Sequence, residues 1–281
     1  MKRIFHSTLV LISAVTALTL NSCKKEEPDT ETQSAVDNSL CEGEFTGRMP
    51  VINSIAIKEQ GVKSMMSAMA TMSGQPTIII NPADTLDGFP VTMILDYGTG
   101  TTDSIDGKVR KGQVSCKFSN SWDTIGSNIT VKLINYWVAK SAGAPWWKYA
   151  CDSIMIKHTA AYSYTNQIIG GHCNNSAGDV NLDWAATRTL TQTAGMGDYN
   201  PYNDVFEFTG NAQGKNREGK HYTVNVTVPV IKKAACTWIT QGRIDLTPEG
   251  LATRTVDYGD GTCDDKATLT INGNTFQFTM N

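Results

Sequence analysis

Four aspartates fall within nine positions, Asp257, Asp260, Asp264 and Asp265, with Gly259 and Gly261 between them. Carboxylate oxygens on a tightly turning loop are the hard donors that Ca²⁺ takes. The ligand spacing and terminal glutamate of an EF-hand loop are missing. The competing reading is a solvated hairpin in which each aspartate caps its own turn. Calcium is the one cofactor that the sequence suggests. A second cluster is aromatic: Trp146, Trp147 and Tyr149 place three rings in four positions of a predicted loop. Rings presented on a loop can stack on sugar faces or anchor a protein interface. They can also fold back to cover the end of a sheet. His158, His172 and His221 have no second histidine at ligand spacing. The chain has no G-x-S-x-G elbow, no H-E-x-x-H helix and no phosphate-binding loop. No catalytic residue is therefore nominated.

Cys23 carries the strongest chemical signal. Lys2 and Arg3 precede an apolar run from Leu9 to Leu20, which has the length of a signal-peptide core. Leu20-Asn21-Ser22-Cys23 follows and resembles a lipobox, whose cysteine becomes acylated. Removal of residues 1–22 takes away Lys2 and Arg3 and no acid, which moves the formal net charge from −3 to −5. The next residues, Lys24 to Asn38, are charged and polar and read as a tether.

Six cysteines follow Cys23: Cys41, Cys116, Cys151, Cys173, Cys236 and Cys263. An exported chain meets an oxidising compartment, where an even number of thiols invites disulfides. Cys236 and Cys263 flank a predicted strand pair and are the candidate disulfide. Cys116 sits at an alternating strand position and fits a buried thiol.

The elements that must position these groups are mostly strands. Hydrophobic residues make up 40% of the chain, enough for a core, and charged residues only 18%. Ile52, Ile55, Ala56 and Glu59, then Met65, Met66, Met69 and Met72, have helical spacing. Beyond Pro76, short runs alternate apolar and polar residues, as in Tyr222–Val228. Strands are expected at 77–80, 91–95, 113–119, 128–138, 153–159, 161–168, 188–193, 204–209, 221–230, 237–246, 266–271 and 275–280. Asp106-Gly107, Gly170-Gly171 and Asn272-Gly273 read as turns. Close spacing without crossover helices implies antiparallel pairing. The expected fold is mainly β, a sandwich or an extended meander of antiparallel sheets with a small helical N-terminal segment. The expected organisation is a signal peptide over 1–22, the lipidated cysteine and tether over 23–40, helix over 41–75 and a β body over 76–281. Two similar halves are an alternative for that body.

Two internal echoes stand out. Asp96-Tyr97-Gly98 recurs as Asp257-Tyr258-Gly259, and Gly107–Gly112 (GKVRKG) recurs as Gly214–Gly219 (GKNREG). Their offsets differ, so a simple tandem repeat does not fit. With the flanking Leu95 and the closing stretch Asp257–Asp264, these motifs resemble a family of uncharacterised Bacteroidota lipoproteins. The resemblance implies a β-rich, surface-anchored protein and carries no known activity. Asp-Thr/Ser-apolar triplets around Thr85, Ser104, Thr124 and Ser153 resemble O-glycosylation acceptors of Bacteroidota envelope proteins; ordinary turn chemistry is the alternative.

The expected function is a palmitoylated outer-membrane lipoprotein facing the cell exterior, a binding or structural module. Its partners are the membrane, through the anchor, and a glycan or protein ligand. The mildly acidic balance provides no basic footprint for nucleic acid. The alternative is an extracellular polymer hydrolase using an acidic residue pair.

Overall fold

The computed structural model describes residues 28–59, 76–81, 88–198 and 200–280. Two helices come first, α1 (Gln33–Phe45) and α2 (Met49–Glu59). Fifteen strands follow among the described residues. They are β1 (Thr77–Asn81), β2 (Val91–Asp96), β3 (Thr101–Thr102), β4 (Val109–Phe118), β5 (Asn128–Ala139), β6 (Trp147–Ala150), β7 (Ser153–Ala160) and β8 (Ser163–Asn175), then β9 (Asn181–Ala194), β10 (Val205–Lys215), β11 (His221–Lys233), β12 (Gln241–Pro248), β13 (Arg254–Asp260), β14 (Lys266–Ile271) and β15 (Asn274–Thr279).

All belong to one antiparallel sheet. Its path runs β1-β2-β4-β5-β6-β8-β9 and on in sequence order to β15. Of the two expected arrangements the meander is the one adopted. Connections of a few residues favour pairing between strands close in sequence, and every pairing is with a strand one or two places away. β6 and β7 lie end to end between β5 and β8, each pairing with half of both neighbours.

The sheet wraps around α1. Side chains of this one helix reach β4, β5, β9 and the turn between β10 and β11. A flat sheet cannot surround a helix, and bulges supply the bend. Registers shift at Gly112 opposite Asn135, between Ile168 and Gly171, and between Phe208 and Asn211. At Gly210 the backbone has φ 109°, and an added Cβ would lie 2.3 Å from the Thr187 carbonyl oxygen. Gly210→Val is therefore expected to cost about 1–3 kcal/mol through strain and displacement of β9. Urea unfolding of the variant measures it.

The N-terminal segment differs from expectation. The tether was expected to run to residue 40, yet α1 begins at Gln33, and Asp29 already pairs with Arg254 at 2.7 Å. Ten of the thirteen residues of α1 are buried, including Asp37, Asn38, Glu42 and Glu44. Glu31 caps this helix by accepting from the Ser34 N–H at 2.6 Å. In α2, Asn53 accepts from the Trp122 indole at 2.9 Å, and the Trp122 ring stacks on Tyr164. The expected methionine stripe lies outside the described residues.

Candidate functional site

The concave side of the sheet is a charged chamber that α1 fills. Arg110, Arg188 and Arg254 stand in the inward phase of β4, β9 and β13, each at most 2% exposed. Arg188 grips Glu42 with two nitrogens, one at 3.1 Å. Arg217 meets Asp37 through Nε at 2.9 Å, and its backbone N–H also donates to that carboxylate. Glu44 is the hub. It accepts from Arg110 Nη2 at 3.1 Å and from the Tyr136 hydroxyl at 2.6 Å, with Arg48 and Lys108 alongside. Burial pushes the Glu44 carboxyl up, but the Arg110, Lys108 and Arg48 cations outweigh it and hold the pKa at about 2. Arg110 also binds Asp106 with two nitrogens, each at 2.6 Å. A cavity of about 210 Å³ opens beside Lys108, Leu40, Trp147 and Tyr149. The gap beside Phe45, Arg48 and Met49 holds only about 10 Å³.

Open space lies on the outer face. A trough of about 480 Å³ crosses β8 to β11, floored by Gly170, Gly171, Ala185 and Gly214. That size suits a small ligand. Its polar wall is one cross-strand row, in which His172 pairs with Asp183, Asp183 with Lys215 and Lys215 with His221. His172 Nδ1 lies 2.7 Å from one Asp183 oxygen and Lys215 Nζ 2.8 Å from the other. Partial burial works to raise the Asp183 pKa. The hydrogen bonds from Lys215 and His172 win and hold it below the usual carboxylate value. The trough runs on into a second depression beside Thr187 and Ile169.

Two residues away on β8 and β9 lies a second row on the same face, which continues across β6 and β5 to β4. Its members are Lys111, Trp137, Lys148, Asn174 and Asn181, paired in that order. Lys111 Nζ sits 4.9 Å from the Trp137 ring centre and 4.5 Å from that of Trp146. Strand geometry separates the two rows by about 7 Å. Together they form an outward strip with aromatic rings at one end and hydrogen-bonding groups at the other.

The expected three-ring platform is divided. Trp147 and Tyr149 are two apart on β6, so both face inward. Tyr149 is buried and donates to the Leu40 carbonyl at 3.2 Å, and Trp147 packs against the core under Arg217. Only Trp146 stays on the outer face, where Trp137 joins it. The acidic set is likewise not gathered. Asp257 binds Arg243 at 2.7 Å and caps Gly259, while Asp260 caps Thr262 and Asp264 caps Lys266. Asp265 contributes its backbone carbonyl to the Met280 N–H. Among the described residues no group of three or more His, Cys, Asp or Glu converges on a metal position. Millimolar Ca²⁺ is accordingly expected to leave the melting temperature unchanged, which calorimetry with and without chelator checks.

Cys236 and Cys263 are joined by a disulfide. Ser104 is exposed, near the Tyr202 hydroxyl at 3.2 Å, and Thr124 and Ser153 are half-buried. Cys23 and Thr85 lie outside the described residues. The Asp-Tyr-Gly echo acquires a common geometry. Asp96 and Asp257 each accept from the glycine N–H two residues on, and Tyr97 and Tyr258 are both buried. The second echo delivers Arg110 and Arg217, and both pair with carboxylates of α1.

Sequence reasoning missed the arginine chamber and the His172–Asp183–Lys215 row. The chamber had a readable signal: an arginine in the apolar phase of an alternating strand, as in Trp184, Ala186, Arg188, Leu190. The row had none, because exposed polar residues on three strands look alike before their register is known. No family model, no curated protein and no solved structure matches this chain.

Proposed function

We propose that the chain is a lipid-tethered outer-membrane protein, exposed on the cell surface, that binds carbohydrate on its outer face. The observation that carries this reading is the strip of paired rows. Trp137 and Trp146 stand with Lys111 and Lys148 at one end of the strip, and Asn174, Asn181, His172 and Asp183 line the other. Sugars need that combination: an apolar ring face to stack on and convergent polar groups to fix orientation. The anchor rests on the Leu20–Cys23 motif and the polar residues after it.

Hydrolysis is the weaker reading. A glycosidase needs one carboxyl kept protonated at working pH. Asp183 is held in the opposite direction, anionic between Lys215 and His172.

Binding of the purified mature chain to an array of neutral and acidic polysaccharides tests the proposal. Trp137→Ala and His172→Ala are each expected to weaken binding about tenfold. Absence of binding to every polysaccharide, or binding indifferent to both variants, overturns it. Cys23→Ser is expected to release the protein from the membrane fraction.

A further inference from the structure

The described residues contain four free cysteines, and two of them meet. Cys41 on α1 and Cys173 on β8 are both fully buried. The two thiols lie close enough to act on each other electrostatically. The surrounding packing independently places one over the other. An added Cβ on Gly171 would touch the Phe45 ring at 3.2 Å, so Phe45 sits above Gly171. Four residues of helix rise about 6 Å and two residues of strand about 7 Å. Stepping from Phe45 back to Cys41 therefore matches stepping from Gly171 on to Cys173. Two side bonds hold this register. Tyr149, paired with Cys173 across β6 and β8, donates to the Leu40 carbonyl, and Trp184 on β9 donates to Asn38 at 3.0 Å. Cys116 lies on β4 and Cys151 in the turn before β7.

We propose that Cys41 and Cys173 form a second disulfide that staples α1 covalently to the sheet. The oxidant is a protein thiol–disulfide oxidoreductase or a small disulfide of the exporting compartment, so the proposal rests on the export reading above. One thiolate attacks the donor disulfide and releases a donor thiolate. The other then attacks the resulting mixed disulfide at the cysteine sulfur and releases the second. Two S–H bonds are lost, one S–S bond forms, two protons leave, and the two electrons reduce the donor to its dithiol. With α1 seated, both sulfurs are sealed from solvent and burial pushes the Cys41 thiol well up. Exchange therefore proceeds while α1 is still unseated, during folding. The placement has a mechanical sense. Between Cys23 and α1 the ion pairs of Asp29 and Glu31 with Arg254 come first, and a pull on the anchor that breaks them acts on that helix. Without the staple, ion pairs and packing alone oppose it; with the staple, the load passes into β8 near the middle of the sheet.

The test uses the mature protein extracted from the native membrane in detergent. It is denatured without reductant, alkylated and mapped by peptide mass. The expected result is one cross-linked peptide pair containing Cys41 and Cys173, with Cys116 and Cys151 alkylated. A Cys116→Ala/Cys151→Ala variant is expected to keep the cross-link, and Cys41→Ser to leave Cys173 alkylated. Alkylation of both Cys41 and Cys173 in the native protein, or a link from either to Cys116 or Cys151, overturns the proposal. The same map reads Cys23 separately as acylated or alkylated, so failure of the export reading is distinguished from failure of the staple.

Discussion

Arg188→Ala is expected to destabilise the protein by about 3–5 kcal/mol, one of the two largest losses foreseen for a change at a single site or bond. The substitution leaves Glu42 sealed beneath the sheet, at 2% exposure, with its main cation gone. A buried carboxylate without a partner must be protonated or drag water inward, and either costs more than the pair contributed. The double replacement Glu42→Met with Arg188→Met is expected to recover most of the loss, because it removes both desolvation penalties together. Urea midpoints of the four proteins form a double-mutant cycle. Equal losses for the single and double variants would show that the pair itself, and not the stranded charge, carries the energy. The same chamber makes the protein acid-sensitive. The Glu44 pKa falls from 4.5 to about 2 on folding. Its stabilisation is therefore complete above pH 4.5 and is lost as the pH falls from there towards 2. Glu44→Gln is expected to flatten the dependence of the urea midpoint on pH across that window.

Cys236→Ala with Cys263→Ala is expected to cost about 3–4 kcal/mol. The bond spans a sequence separation of 27, and closing a loop of that length removes chain entropy of this order from the unfolded state. It ties the loop after β11 to the loop after β13, across the strand pair between them. The Nζ of Lys232, whose pKa burial pulls down to about 7, donates to the Cys236 carbonyl, so the variant also loosens a hydrogen-bond partner of this buried amine. A fall in melting temperature of roughly 2–4 °C per kcal/mol is the expected readout. A melting temperature unchanged by the double replacement would place the constraint elsewhere in the sheet.

The two losses differ in how visible their residues are in the chain. Cys236 and Cys263 are legible because turn residues mark the segments in which they stand and alternation marks β12 between them. Glu42 and Arg188 are 146 residues apart. No local pattern relates them; only the curvature of the whole sheet brings β9 over α1. The same contrast runs through the strands. β11 and β14 are read from alternation to within a few residues. β8 is expected to end at Ile168 but continues to Asn175, because Gly170-Gly171 forms a bulge and not a turn. β13 is absent from the expected strands. Its Asp257, Gly259 and Asp260 are turn-forming residues, yet Asp257 pairs with both β12 and β14 and Asp260 pairs with β12 beyond a register shift.

By itself, the sequence determined what depends on neighbours in the chain. Period-two alternation and short punctuated connections require antiparallel strands, since a connection of a few residues cannot cross to a parallel partner. The N-terminal charges, the apolar run and Cys23 are read from their order alone, and the proposed anchor rests on that order. The tertiary structure decided which of two faces each polar group occupies and what it meets there. It buried the acidic α1 against arginines, turned Trp147 and Tyr149 inward while leaving Trp146 outside, kept Asp257, Asp260 and Asp264 on separate caps, and set His172, Asp183 and Lys215 side by side. The reason is that register and curvature are collective. A shift of one residue at a single bulge moves every later side chain of that strand to the other face, and no window of local sequence contains the strands that fix it.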